Sequence, residues 1–191
     1  KYKNSILLGE IDNKDLQIKY TEGSDKLHLA YSFELLRKEL STDSIQNSID
    51  YFYSSTKDGW PCWCFSNHDV KRHISRWSRD ESNLDDLAKI SCALLLSLKG
   101  TVCIYQGEEL GQTETKLEFE ELTDPPGIEF WPEEAGRDGC RTPMVWNSQK
   151  LNAGFSEVKP WLPVKKEQKQ KSVDLQEYKN DSVLSFYKEM I

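Results

Sequence analysis

The sequence predicts an α/β fold of successive parallel βα units, and three observations carry that prediction. Apolar runs alternate with amphipathic stretches four times before residue 112. The first of these runs is continuous rather than alternating, as in a strand buried on both faces, and the last reads as buried. Each run is followed at or just past its end by a carboxylate: Glu10, Glu34, Asp69 and the pair Glu108-Glu109.

Taken in order, Ser5 to Gly9 is the first strand, ending at Glu10. Asp12 to Tyr20 reads as a short helix. Leu27 to Phe33 alternates and closes on Glu34 as the second strand. Ser41 to Tyr53 places Ile45, Ile49 and Phe52 at helical spacing behind Ser41 or Thr42 as cap. Trp60 to Phe65 is the third strand. Val70 to Trp77 and Leu84 to Leu98 are helices, the second strongly apolar and ended by Gly100. Thr101 to Tyr105 is a fourth buried strand, followed by the turn Gln106 to Glu109.

After residue 112 the rhythm breaks. Thr113 to Pro163 holds six of the seven prolines and three of the six tryptophans, with little periodicity. A loop of that length in a compact domain is usually functional. Val164 to Asn180 is charged and reads as solvated surface, and Asp181 to Ile191 is an amphipathic helix capped by Asp181 or Ser182. Four βα units make half of an eightfold barrel, and a half-barrel has two open sheet edges. The chain is therefore expected to be a piece of a longer protein; pairing of its edges with another copy is the alternative.

The chain has 191 residues, enough for one domain with a sizeable core, here 1–191. Lys and Arg number 25 against 32 Asp and Glu, a net charge of −7. That balance argues against nucleic acid and against an anionic membrane surface as partners. Five scattered cysteines suit a reducing, cytoplasmic compartment better than a disulfide framework. There is no signal-peptide pattern at the start and no apolar run near the ~18 residues of a membrane span.

Phe65-Ser66-Asn67-His68-Asp69 puts a carboxylate and an imidazole directly behind a short apolar-aromatic stretch. A strand that stops at such a cluster is where an α/β barrel places its chemistry. A polar turn without a catalytic role would produce the same tripeptide. Convergent carboxylates suit glycoside hydrolysis, in which an acid protonates the leaving oxygen and an anion steadies an oxocarbenium-like centre. The simpler role for Glu34, Glu108 and Glu109 is to bind backbone amides in loops. Cys62, Cys64, His68 and His73 are too compactly spaced for the usual zinc patterns, and Cys62 and Cys64 fall on one face of a strand, so zinc is set aside. Cys92 and Cys103 are expected in the core and Cys140 at an exposed point of the loop. Trp131, Trp146 and Trp161 are expected as packing anchors before a sugar-stacking platform.

Leu7-Leu8-Gly9-Glu10 and Phe65-Ser66-Asn67-His68-Asp69 resemble two conserved regions of the α-amylase family of retaining glycoside hydrolases. Tyr105-Gln106-Gly107-Glu108-Glu109-Leu110-Gly111 and Gly136-Arg137-Asp138-Gly139-Cys140-Arg141-Thr142-Pro143-Met144 resemble its α-glucosidase and oligo-1,6-glucosidase branch. Trp161-Leu162-Pro163-Val164 and Asp181-Ser182-Val183-Leu184 continue the likeness. The resemblance implies a (β/α)8 TIM barrel, with this chain running from its fifth strand into its eighth helix. It implies that Glu10 is the general acid/base, protonated when it meets the glycosidic oxygen. It makes Asp69 the transition-state stabiliser, bonded to sugar hydroxyls. His68 would bond the same glucose. Arg137 would recognise the non-reducing glucose and so favour cleavage from that end. Arg141 would be structural, tying the long loop to an acidic partner.

The chain departs from the family at one large point. The family's nucleophile is an aspartate in a Gly-Phe-Arg-x-Asp stretch, and no such stretch occurs here. Retention needs a nucleophile roughly 5–5.5 Å from the acid, so the isolated chain is expected to be inactive. The resemblance implies no cofactor and no metal in this chain. It implies a small oligosaccharide or glucoside as substrate and the N-terminal half of the barrel as partner. Two other functions fit the same fold: a non-catalytic barrel serving as a binding and trafficking module, as in amino-acid transporter heavy chains, and a transglycosylating family member. The first tends to lose catalytic carboxylates, whereas Glu10, His68 and Asp69 are all present.

Overall fold

A computed structural model describes residues 4–37, 39–80 and 82–191. The chain forms two compact units, Lys1–Phe65 with Ser97–Ile104, and Ser66–Leu96 with Tyr105–Ile191.

The first unit carries one parallel sheet of four strands: β1 (Leu8–Glu10), β2 (Leu29–Tyr31), β3 (Pro61–Trp63) and β4 (Thr101–Val102), neighbours in that order. Gly9 pairs with Ala30, Tyr31 with Cys62, and Trp63 with Val102. Sequential parallel neighbours with a crossover at each step are the pattern of a (β/α)8 barrel, as the alternation predicts. Two crossover helices belong to this unit, α1 (Lys14–Thr21) and α2 (Thr42–Ser55). Asn13 caps α1 by accepting from the amides of Asp15 and Leu16. Ser41 caps α2 by accepting from Ser44, the expected cap. Ile45 and Phe52 are buried, and Phe52 meets Trp63 edge-on at 5.9 Å.

Burial corrects the strand predictions. β1 is expected to be buried on both faces and β4 to be buried, yet Ile6 and Leu8 are 72% and 54% exposed, and Thr101 and Cys103 are exposed. β1 pairs only with β2 and β4 only with β3 among the described residues. Their apolar character therefore marks strands with one side open. The central strands are the better buried: Ala30, Cys62 and Trp63 are each 2% exposed or less. The strands are also shorter than predicted. Cys103, expected in the core, lies beyond the end of β4, where its amide still bonds Trp63.

The second unit begins at Ser66 and includes α3 (His73–Trp77) and nearly all of α4 (Leu84–Ser97). α3 starts later than Val70 because residues before it are held otherwise: Asn67 bridges Val70, and the Arg72 amide donates to Glu114 Oε2 at 2.9 Å. The long stretch after residue 112 is irregular but ordered by short turns, among them α5 (Pro125–Glu129). Leu117, Leu122 and Leu162 form a small core against which Trp131 packs. Trp131 is thus an anchor, whereas Trp146 and Trp161 are more than half exposed, Trp161 donating its indole N–H to Thr123 Oγ1 at 2.7 Å.

Residues 164–180 are mostly exposed, as their charge suggests, but they are regular rather than loose. They form two short helices, α6 (Lys166–Lys169) and α7 (Val173–Gln176), before α8 (Val183–Met190), which Ser182 caps. Gln168 and Gln176 turn inward and are buried. Gln176 Nε2 donates to the carbonyls of Leu110 and Lys171, both at 3.0 Å, and its Oε1 accepts from the Leu184 amide. A buried amide side chain that satisfies three backbone groups is specific in a way apolar packing is not. Gln176→Ala is expected to lower unfolding free energy by about 3 kcal/mol, because those partners are left unpaired. Urea unfolding of the chain measures it, and a loss under about 1 kcal/mol would show that water takes the partners over.

No helix among the described residues is long and apolar enough to cross a membrane.

Candidate active site

The second unit holds His68, Asp69 and Arg137; Glu10 stands in the first, exposed at the end of β1 and paired in register with Tyr31.

The segment 66–69 is fastened from below. Ser66 Oγ lies 2.9 Å from His73 Nδ1 and accepts from the His73 amide at 2.8 Å. His73 Nδ1 is also 3.1 Å from Glu108 Oε1, with both side chains 2% exposed or less. Asn67 Oδ1 accepts from the Asp69 amide at 2.9 Å, an Asx turn that points the next side chain outward. His68 is half exposed, its Nε2 3.5 Å from Asp69 Oδ2. Glu108 and Glu109 play the simpler role considered for them. Glu108 Oε2 accepts from the Tyr105 amide and Glu109 Oε2 from the Gly107 amide. Burial pushes the Glu109 carboxyl above its ordinary range, against the two backbone amides that lower it.

Asp69 is gripped by two arginines. Arg137 Nη1 and Arg141 Nη2 each donate to Asp69 Oδ1 at 3.0 Å. Arg141 Nε also holds the His68 carbonyl at 2.7 Å. Arg141 thus does tie the long loop to an acidic partner, and that partner is Asp69 itself. Arg137 bridges Asp69 to a second acid, Asp124.

Asp124 is a residue the sequence does not single out. Aspartate ahead of Pro125-Pro126 reads as an ordinary helix cap, and Asp124 does occupy the cap position of α5, but its carboxylate caps nothing. Instead Oδ1 accepts from Arg137 Nη2 at 2.7 Å and Oδ2 from Arg137 Nε at 3.0 Å and the Arg137 amide at 2.8 Å. The Arg137 guanidinium, with Arg141 beside it, holds the Asp124 carboxyl below the usual aspartate range against the opposing pull of burial. Asp138, fully buried, accepts the amides of Thr123 and Asp124 at 2.6 and 2.8 Å.

Two glycines make this loop possible. Gly136 has φ of +65°, and a Cβ there would lie 2.8 Å from Asp124 Oδ2. At Gly139 a Cβ would lie 2.4 Å from Glu114 Oε1 and 2.7 Å from the Thr115 carbonyl. Arg72, also unmarked in the sequence, is 3% exposed and joins two of the motifs: Nη1 donates to the Gln106 carbonyl at 2.7 Å and Nη2 to the Cys140 carbonyl at 3.1 Å. Tyr105 Oη donates to the same Cys140 carbonyl at 2.9 Å. That packing buries Cys140, expected at an exposed point, and burial pushes its thiol up to about 12.

Chemically, the second unit presents a partly exposed aspartate with one oxygen neutralised by two guanidinium groups and the other beside an imidazole. Such an anion can accept hydroxyl hydrogen bonds and steady positive charge developing next to it.

The chain is 47% identical over 173 residues to a probable α-glucosidase of Rhizobium meliloti, covering 90% of the chain and 31% of that protein. It is 34% identical over 157 residues to an oligo-1,6-glucosidase of Heyndrickxia coagulans, covering 73% of the chain and 28% of that protein. The crystal structure of an α-glucosyl transfer enzyme, XgtA, superposes with a TM-score of 0.86 at 42% identity, covering 96% of this chain and 34% of that one. The chain spans about a third of the length of the relatives it matches. The family model described as "Alpha amylase, catalytic domain" matches residues 1–191. The chain therefore belongs to the α-amylase family, as part of its TIM-barrel catalytic domain.

Proposed function

We propose that this chain is the C-terminal half of the barrel of a retaining α-glucosidase that releases glucose from the non-reducing end of short α-linked glucosides. The observation that carries this is the seating of Asp69, with Oδ1 taken by Arg137 and Arg141 and Oδ2 left beside His68. In the reaction, Glu10 gives its proton to the glycosidic oxygen as the bond breaks and recovers it from the water that completes hydrolysis. Asp69 holds hydroxyls of the distorted glucose ring and offsets the charge that grows at the anomeric carbon. His68 and Arg137 hold the same sugar. The nucleophile comes from the N-terminal half of the barrel, which this chain does not contain. The acidic balance of the chain supports a neutral sugar substrate in preference to nucleic acid. Five cysteines with no disulfide among them support a cytoplasmic site of action.

The isolated 191-residue chain is expected to show no turnover of p-nitrophenyl α-glucoside, because no covalent glucosyl intermediate can form without the nucleophile. Turnover by the purified chain at a rate near that of the full-length protein would overturn the assignment of the nucleophile to the missing half.

Transfer of glucose to an acceptor other than water is the second reading, and the 42% identity to an α-glucosyl transfer enzyme favours it specifically. The same residues serve both outcomes. Product analysis of the full-length protein at high maltose separates them: free glucose alone supports hydrolysis, and trisaccharide supports transfer.

A further inference from the structure

We propose that Asp124 is the positioning residue of this site, holding Arg137 so that it leaves Oδ2 of Asp69 open to the sugar. The inference rests on the role proposed above for Asp69 and goes beyond it, to what keeps that carboxylate usable.

A guanidinium group forks most strongly onto a carboxylate through two parallel N–H bonds. Arg137 spends its Nε/Nη2 edge in that way on Asp124, with its backbone amide added to Oδ2. Only Nη1 remains to reach Asp69, and it reaches one oxygen. Arg141 reaches that same oxygen. Asp69 is thus paired with two cations without being forked by either, and among the described residues no guanidinium hydrogen bond reaches Oδ2.

Without a charge at position 124, that balance is lost. Arg137 is 41% exposed and has room to turn. Its fork then finds the other carboxylate within reach, Asp69, and takes both oxygens. The local structure resists this movement: Asp124 is 1% exposed at its side chain, its amide is fixed by Asp138, and Gly136 brings the backbone against its Oδ2. A cap that held only α5 would have used its carboxylate on the helix amides, and this one does not.

The test is a double-mutant cycle in the full-length protein, with p-nitrophenyl α-glucoside as substrate. Asp124→Asn is expected to lower kcat at least about tenfold while the protein still unfolds in one cooperative transition. In an Arg137→Ala background the same change is expected to add less than about threefold, because Asp124 acts through Arg137. Effects that multiply, or a kcat for Asp124→Asn within about threefold of wild type, would overturn the proposal. If Asp124→Asn does not fold, Arg137→Lys keeps the charge but cannot fork Asp124; it is expected to lose at least about tenfold in kcat, and retention within threefold overturns the proposal. Asp69→Asn is run beside them. If it is inactive while Asp124→Asn is unaffected, only the role of Asp124 fails. If Asp69→Asn itself keeps full activity, the role of Asp69 fails first.

Discussion

Replacing Asp69 by asparagine in the full-length protein is expected to lower kcat by about 10²–10³-fold, the loss typical of removing one preorganised electrostatic contact to a transition state. The asparagine keeps the size of the side chain and one acceptor oxygen, so substrate can still enter. What disappears is the negative charge beside a centre that becomes positive only as the glycosidic bond breaks. The loss should therefore fall on kcat more than on KM. Arg137 retains Asp124 as a partner in this variant, so the loop should stay folded. Steady-state kinetics on p-nitrophenyl α-glucoside give the answer, and a loss in kcat below about tenfold contradicts the assignment.

Glu10→Gln is expected to cost about 10²–10⁴-fold in kcat on maltose or isomaltose, the usual worth of a positioned general acid. The signature is dependence on the leaving group. A sugar alkoxide needs a proton in order to depart, whereas p-nitrophenolate departs largely unaided. The loss on the aryl glucoside should accordingly be much the smaller of the two. Asp69→Asn should show no such split, because both substrates pass through the same charged ring. Comparison of the two variants on the two substrates separates an acid from an electrostatic stabiliser. Equal losses on both substrates for Glu10→Gln would sink the general-acid role.

Much of the fold was legible from local pattern. The alternation of apolar runs and amphipathic stretches announced parallel βα units, and the sheet runs in the expected order. Ser41 and Ser182 cap the helices they precede. Capping and periodicity are contacts between residues a few positions apart, so the sequence displays them directly. The degree of burial was less legible. Ile6, Leu7 and Leu8 look like core and are exposed, because an edge strand differs from a central one only in what lies beside it. Gln168 and Gln176 look like surface and are buried, since a polar side chain is admitted wherever backbone groups need a partner.

By itself the sequence determined the family, the fold class and the candidate residues Glu10, His68, Asp69 and Arg137, because motifs are local and their order along the chain is visible. It also located an acidic partner for Arg141 in general terms. Only the tertiary structure decided which acid that is, that Arg137 is shared between Asp69 and Asp124, and that Arg72 stitches the Tyr105 turn to the arginine loop. The physical reason is separation. Asp69 and Arg137 are 68 residues apart, and no spacing rule reaches that far. A carboxylate pairs with whichever cation the path of the backbone brings within about 3 Å, and that path is a property of the whole fold.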